Sequence, residues 1–496
     1  MKRLVASVTF LALLSGCSSS PAPVEPVATV TPAASTPTPD LQAFRSRAPE
    51  PMAPRPYRFP EVTRVTLDNG LRVLVAENRG APLATIRALI RSGADQNPSA
   101  QAGVASFTAD MLDEGAAGRS AIAIAEKVAD LGGTLITASE WDASTLNLDL
   151  GSSNVEEGIK LVSDVLIRPT FPAAEIDRIR KDRLTTILQQ RDDANILATN
   201  RFASVVYAGT AYGDPIIGSA ASVKAISRKA INDFYRTHYV PNNVSLIVSG
   251  DVDTNTVIQL LRRQFSTWER GKDIRSVAIA PKSIDANRIY IIDRPQAVQS
   301  EIRVGHIGVS RATEDYFPFL TMNMLLGGNF SSRINLNLRE KHGYTYGART
   351  SQAFRRQAGP FVVSTPVRNE VTLQSVQEIM NELQRIRTGE ITEQELNNTR
   401  NYLMGVFPAT VESASDLADR LQELELYNLP EDYFNSYREK IASVTAEELT
   451  RVGNKYVQPG QSAIVIVGKA SDIQKPLSQL GYPVTVYDID GRPVTE

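Results

Sequence analysis

The feature that most constrains the fold is an internal repeat, because the second half of the chain follows the same order of elements as the first. Three pairs of landmarks recur at nearly constant spacing: Ile86 and Ile302 in a strand (302 − 86 = 216), Met111 and Met324 in a helix (324 − 111 = 213), and Tyr239 and Tyr456 before a strand (456 − 239 = 217). Agreement within a few residues indicates a duplication rather than chance.

Each copy combines antiparallel strands with long helices. In the first copy, alternating residues on both sides of Asp68-Asn69-Gly70 predict a β-hairpin over 62–75. Apolar residues at helical spacing predict helices over 155–167 and 173–190, and a strand that ends in glycine is predicted over 244–250. We therefore expect an α+β fold with two duplicated domains.

The chain is long enough for two such domains, since 496 residues exceed what one hydrophobic core usually organises. Polar residues over 271–287 predict a linker between the copies. The expected domains are residues 61–275 and 288–480, and residues 481–496 are expected to form a C-terminal tail.

The N-terminus carries the pattern of an exported protein. Lys2 and Arg3 precede an apolar run over 4–14, which is too short to span a bilayer. The run ends in Leu-Ser-Gly-Cys, which resembles a bacterial lipoprotein processing site. The resemblance implies a signal peptide over 1–16 and a lipid anchor on Cys17, the only cysteine, while Ser18 favours the outer membrane, facing the periplasm.

Composition restricts the remaining classes. Residues 17–60 are rich in Pro, Ala, Thr and Ser, which predicts a disordered tether. The net charge of −2 argues against nucleic acid as a partner and against a polybasic membrane patch, so membrane attachment is expected through the lipid alone.

A short segment over 103–115, GVASFTADMLDEG, has the spacing of a helix with one buried face. Ser106, Ala109 and Asp110 share the neighbouring face, because residues three and four apart stack along a helix. A hydroxyl, a methyl group and one carboxylate cannot hold zinc.

This segment resembles the active-site helix of the pitrilysin/insulinase family, whose inverted zinc motif is H-x-x-E-H. The frame residues that the chain keeps are Gly103, Ala105, Met111 and Gly115. In that alignment Ser106, Ala109 and Asp110 stand at the first histidine, the general-base glutamate and the second histidine. The resemblance covers about residues 62–469, and it implies two related α+β domains that together form half of a clamshell.

The family's third zinc ligand is a glutamate on a later helix, and residue counting places it within residues 185–189, around Ile187, where there is no carboxylate. Three histidines, His238, His306 and His342, are scattered without helical pairing. We therefore expect no metal and no cofactor on this chain. The acids Asp110, Asp113 and Glu114 are interpreted as a solvated helix face rather than a cation site, because no loop oxygens accompany them.

The second copy keeps a pair that the family uses. Arg339 and Tyr346 match an arginine and a tyrosine that reach towards the zinc in active relatives, and both can donate to a developing oxyanion. An arginine with a nearby acid and a tyrosine in the core is the alternative interpretation. His342 and Tyr344 are weaker candidates for binding substrate in the same pocket.

In some relatives two chains divide the work, one with the zinc motif and one with the arginine–tyrosine pair. The resemblance therefore implies a non-zinc-binding subunit that pairs with a zinc-bearing homologue to cleave peptides or unfolded polypeptides, and that is not a peptidase alone. A non-catalytic peptide-binding or structural scaffold is the alternative, since an open sheet edge binds extended peptides by strand addition.

Overall fold

The computed structural model describes residues 57–98, 100–275, 277–282 and 284–494. The predicted signal peptide, Cys17 and nearly all of the predicted tether lie outside these residues. Within the described ranges, no helix is both long enough and apolar enough to cross a membrane.

The first copy contains a six-stranded sheet and a separate two-stranded ribbon. Its strands are β1 (Thr63–Thr66), β2 (Arg72–Glu77), β3 (Leu83–Ile90), β4 (Gly115–Ala116), β5 (Arg119–Ser120), β6 (Thr134–Ser139), β7 (Ser144–Gly151) and β8 (Val244–Gly250). Its helices are α1 (Val104–Asp110), α2 (Ala121–Asp130), α3 (Val155–Ile167), α4 (Ala173–Gln190), α5 (Ala194–Val206), α6 (Ala220–Ala225), α7 (Arg228–His238) and α8 (Thr254–Phe265). The sheet order is β1-β2-β8-β3-β7-β6, and β4 pairs with β5.

The second copy contains another six-stranded sheet. Its strands are β9 (Arg288–Asp293), β10 (Gln299–Ile307), β11 (Arg349–Gln352), β12 (Pro360–Arg368), β13 (Ala463–Gly468) and β14 (Val484–Tyr487). Its helices are α9 (Tyr316–Asn323), α10 (Arg333–Asn335), α11 (Thr372–Arg385), α12 (Glu393–Val406), α13 (Ala414–Tyr427), α14 (Tyr437–Ser443), α15 (Ala446–Tyr456) and α16 (Ala470–Leu477). Two π-helical segments follow α9 and α10, at Met324–Gly328 and Leu336–Lys341.

The two sheets repeat one topology, which confirms the predicted α+β duplication. The second sheet has the order β14-β9-β13-β10-β12-β11. From β9 to β11 its strands occupy the same positions as the strands from β2 to β6 in the first sheet. The central pairs β2–β8 and β9–β13 are parallel, and the following pairs are antiparallel in both sheets. Only the outer strand differs: β1 is antiparallel to β2, whereas β14 is parallel to β9. The segment predicted as a C-terminal tail therefore supplies a strand.

One helix of each copy packs on the sheet of the other copy. Helix α5 packs on β10 and β13 of the second sheet, where Phe202 and Val206 join Ala463 and Val465 in one buried cluster. Helix α13 packs on β3 and β8 of the first sheet. There Arg91 Nη2 donates to Glu425 Oε2 at 2.7 Å. The described residues consequently belong to one compact unit.

Candidate functional site

The degenerate motif lies on α1, which is short and almost wholly buried. Gly103 precedes the helix with a φ of 94°, and a Cβ at that position would lie 2.7 Å from the carbonyl oxygen of Ile217. Glycine therefore lets the loop around Ile217 close over the start of the helix. Ser106 Oγ donates to the carbonyl oxygen of Ile216 in this loop at 2.6 Å.

The helix ends earlier than its sequence predicts. Its last residue is Asp110, and Leu112 N then donates to the carbonyl oxygen of Ala109 at 3.1 Å, which tightens the final turn. The chain passes into the β4–β5 ribbon at Gly115. The prediction of a helix over 103–115 is thus wrong after Asp110.

A buried arginine joins the two residues that stand at the histidine positions. Arg183 of α4 donates from Nη1 to Ser106 Oγ at 3.0 Å and to the carbonyl oxygen of Ile217 at 3.2 Å. Its Nη2 donates to Asp110 Oδ2 at 2.7 Å. The Arg183 side chain is 6% exposed, and its guanidinium lies 4.8 Å from the centre of the Phe107 ring. A fixed positive charge therefore lies between α1 and α4.

These residues do not fit a zinc ion. Ser106 offers only a neutral hydroxyl, Ala109 offers no ligand atom, and the carboxylate of Asp110 is already paired with Arg183. A guanidinium within hydrogen-bond distance of both positions repels a second cation. Among the described residues, no group of three or more His, Cys, Asp or Glu side chains is placed to hold a metal ion.

The sequence assigned the third ligand position to Ile187, but the residue that reaches the site lies one turn earlier. Ile187 packs, half-buried, against the core of the first copy, while Arg183 contacts Ser106 and Asp110. Ile176, Ile179, Arg183 and Ile187 follow one face of α4 at helical spacing. An arginine on an otherwise apolar stripe is the signal that could have revealed this contact.

The neighbouring acids do not form the predicted solvated helix face. Asp113 lies beyond the end of α1, and burial raises the pKa of its carboxyl group to about 6. Glu114 is paired with Arg178 of α4, as Asp110 is with Arg183. These acids therefore belong to the packing between the motif segment and α4.

A cavity of about 1030 Å³ lies between the two copies and contains the degenerate site in its wall. Ser106, Asp110 and Arg183 line it from the first copy. Glu301, Arg303 and Tyr346 are among the residues that line it from the second. We call this cavity the chamber; it is open to solvent, and it brings Tyr346 to the same space as Ser106 and Asp110.

Arg339 and Tyr346 are brought together in the second copy by one shared cavity. Both line a smaller cavity of about 480 Å³ together with Tyr344. Tyr346 is 91% exposed, which excludes the interpretation as a core tyrosine. Arg339 has the nearby acid of the alternative interpretation, since its Nη1 lies 3.1 Å from Glu340 Oε1, and its guanidinium also lies 4.3 Å from the centre of the Phe330 ring.

The side chain of His342 does not line the cavity that Arg339, Tyr344 and Tyr346 share. Its ring stacks on Tyr344 with centres 4.9 Å apart, while its Nε2 faces Glu378 Oε2 of α11 at 3.8 Å. The structure therefore places Tyr344 in the pocket and His342 against the helix behind it.

The backbone that carries the pair is irregular and firmly held. Arg339 lies in the π-helical segment Leu336–Lys341, a conformation often found at functional sites. Asn335 Nδ2 donates to the carbonyl oxygen of Phe330 at 2.6 Å, and Asn335 Oδ1 accepts from Ala348 N at 3.0 Å. This buried amide ties the loop that bears Tyr346 to the turn at Phe330.

Two family models match most of the described chain. Residues 72–220 match the model described as Insulinase (Peptidase family M16), and residues 225–403 match the Peptidase M16 inactive domain. The chain belongs to the insulinase family of peptidases. The family predicted from the motif frame is therefore confirmed.

Similar proteins span nearly the whole folded part. An uncharacterized zinc protease of Streptomyces coelicolor is 26% identical over 423 residues, covering 83% of this chain and 91% of that protein. A probable mitochondrial-processing peptidase subunit beta of Arabidopsis thaliana is 22% identical over 449 residues, covering 88% and 84%.

Solved structures agree with this fold. A peptidase M16 inactive domain from Pseudomonas fluorescens superposes with a TM-score of 0.78 at 26% identity, covering 82% of this chain and 98% of that one. The first half of the periplasmic protease PqqL from Escherichia coli superposes with a TM-score of 0.69 at 17% identity, covering 86% and 98%. The second likeness concerns the fold alone.

Proposed function

We propose that this chain is the non-zinc-binding subunit of a two-chain zinc peptidase in the bacterial envelope. It supplies the Arg339–Tyr346 pair and half of the peptide chamber, while a homologous partner supplies the zinc. Cys17 anchors it by lipid to the outer membrane, on the periplasmic side. The substrate is a peptide or an unfolded polypeptide.

The observation that carries the proposal is the Arg183 guanidinium between Ser106 and Asp110. This contact replaces metal ligation with an ion pair, so the chain has no hydrolytic centre of its own at the motif. Its remaining chemistry lies in the donors of Arg339 and Tyr346.

The exposure of Tyr346 supports a role in trans. Its phenol is 91% exposed, and the described residues offer its hydroxyl no hydrogen-bond partner. A phenol that lines the chamber and a guanidinium that shares a smaller cavity with it are suited to donate to a peptide carbonyl as it becomes an oxyanion. The likeness to a protein named as a subunit of the mitochondrial-processing peptidase is consistent with division between chains.

The test is reconstitution with a homologue that carries an intact H-x-x-E-H motif. We expect the mixture to cleave unfolded peptides that neither chain cleaves alone, and we expect elemental analysis to find no stoichiometric zinc on this chain. Zinc at about one per chain, removed by a chelator with loss of peptidase activity, would overturn the proposal.

The pair is tested in the reconstituted enzyme. Arg339→Ala or Tyr346→Phe should lower kcat and kcat/KM together, because each removes a donor aimed at the transition state. Loss of one oxyanion donor costs about 10²–10³ in rate, an upper guide when other groups share the charge. Arg288→Ala and Tyr402→Phe change exposed residues of the same types elsewhere and should leave the rate unchanged.

A peptide-holding scaffold is the second candidate, because β11 is an edge strand whose Arg349 and Ser351 line the chamber. An edge strand offers unpaired backbone groups to an extended peptide. Unchanged kinetics in both pair variants, with the two-chain complex intact, would favour this candidate.

A further inference from the structure

One buried cation in the chamber wall has no polar partner. Arg355 follows β11 and lines the chamber, with 8% of its surface exposed. In the described part of the chain its guanidinium makes neither a hydrogen bond nor an ion pair, and its Nη1 is fully buried without a partner. Burying a charge in this way is costly unless a ligand compensates it.

Aromatic rings hold this guanidinium in place without neutralising it. Its carbon Cζ lies 3.7 Å from the centre of the Trp141 ring and 4.7 Å from that of Tyr212. Such cation–π contacts stabilise an arginine by a modest amount, and they leave the N–H groups that reach the chamber free to donate to a ligand. Trp141 lines the chamber beside it.

Two acids, Asp142 and Glu140, lie near Arg355 without forming a salt bridge with it in the described structure. Asp142 Oδ1 accepts the hydroxyl of Tyr212, and Asp142 Oδ2 accepts Arg356 N at 2.6 Å. Glu140 is exposed and forms no ion pair with Arg355 in the described structure. Both acids lie near enough to favour the charged form of Arg355, but neither accepts a hydrogen bond from its guanidinium in the described structure.

The other buried charges of the chamber wall occur as pairs. Arg183 is paired with Asp110 at 2.7 Å, and Arg303 with Glu301 at 2.5 Å. Each of these pairs satisfies its own charge, so neither competes for an anionic ligand. In the described part of the chain, Arg355 differs from these two arginines because it is buried in the chamber wall without a salt bridge.

We propose that Arg355, stacked on Trp141, is a carboxylate-binding subsite of the chamber, so that the chain selects peptides carrying an acidic side chain or a free C-terminal carboxylate. The planar guanidinium matches a carboxylate with two parallel donors. This inference deepens the proposed function by naming its substrate class, and it rests on that function only for the role of the bound peptide in cleavage.

The test uses the full folded chain without a partner, so its outcome is independent of reconstitution. The chain has two tryptophans, and Trp268 is buried in the core of the first copy, so Trp268→Phe leaves Trp141 as the only tryptophan reporter. Short acetylated alanine–serine peptides with a central Glu or Gln, each as a C-terminal amide or free acid, are titrated while Trp141 fluorescence is followed.

We expect peptides with either carboxylate to bind more tightly than the Gln peptide with a C-terminal amide, which has none. The Glu amide and the Gln free acid carry one carboxylate each, so the tighter of these two shows whether a side-chain or a C-terminal carboxylate is preferred. Arg355→Gln should weaken their binding about 10- to 100-fold, the loss expected for charge-assisted hydrogen bonds. Arg288→Gln, the same charge change on an exposed residue of β9, should leave the affinity essentially unchanged.

Arg355→Lys keeps the positive charge but loses the two parallel donors of the guanidinium, so an intermediate affinity is expected. Circular dichroism checks that each variant is folded. If Arg355→Gln does not fold, the comparison of the four peptides on the Trp268→Phe chain decides alone. Equal binding of all four peptides, or the same preference for carboxylates in a folded Arg355→Gln variant, would overturn the subsite.

Discussion

Replacing Asp110 by asparagine tests whether the ion pair with Arg183 stabilises the first copy. The substitution keeps the shape of the side chain and removes its charge. Arg183 is 6% exposed, so its guanidinium cannot turn to solvent without opening the contact between α1 and α4. The variant therefore leaves a buried cation that keeps Ser106 and the carbonyl oxygen of Ile217 but has lost its counterion.

The expected loss of stability depends on the burial of the two partners, which differs. Breaking a fully buried ion pair by removing one partner costs about 3–5 kcal/mol. Asp110 is 39% exposed, so water already screens part of its charge, and the remaining amide oxygen still accepts a hydrogen bond. We expect Asp110→Asn to lower the free energy of unfolding by about 2–3 kcal/mol.

Urea unfolding of the purified chain measures this loss. The matched control is the double variant Asp110→Asn with Arg183→Met, which removes the stranded charge and leaves an apolar side chain near Phe107. It should be more stable than the single variant, because replacing a buried ion pair by apolar groups is often nearly neutral. A single variant within about 0.5 kcal/mol of the parent chain would refute the argument, since that is the range of ordinary surface substitutions.

Three further outcomes are expected. Burial lowers the pKa of His238 to about 4, so as the pH falls the unfolded state takes up a proton before the folded state does. The free energy of unfolding should therefore fall by about 3 kcal/mol between pH 6.5 and 4. In urea unfolding at a series of pH values, His238→Gln should remove this dependence. Burial raises the pKa of Asp113 to about 6, so Asp113→Asn should stabilise the chain by up to about 3 kcal/mol at pH 7 and by nothing below pH 3.8 in the same assay. Cys17→Ser should release the protein from sedimented membranes after a salt wash, and retention there would contradict a lipid anchor.

The parts of the fold that the sequence predicted well are those with strong local signals. The Asp-Asn-Gly turn gives the β1–β2 hairpin, and the predicted helices over 155–167 and 173–190 coincide with α3 and α4. The duplication is visible because both copies bury the same strands and helices in the same order. These signals are local, because they come from adjacent residues and from periodicity, and both can be read from the sequence alone.

The parts that were missed depend on tertiary partners. Periodicity shows that α5 and α13 have buried faces, but not that each face packs on the sheet of the other copy. The strand β14 has only four residues at a sheet edge, too short for a clear alternation. The partnerless guanidinium of Arg355 emerges only when Trp141, distant in sequence, is brought beside it.

At the degenerate motif, the sequence revealed the loss of ligands but not what replaced them. Here Arg183 and Ile176 are the residues that α4 buries fully, and Arg183 makes the polar contacts to Ser106 and Asp110. The Arg183 guanidinium therefore joins α4 to α1, and it holds Ser106 and Asp110 in place in the wall of the chamber.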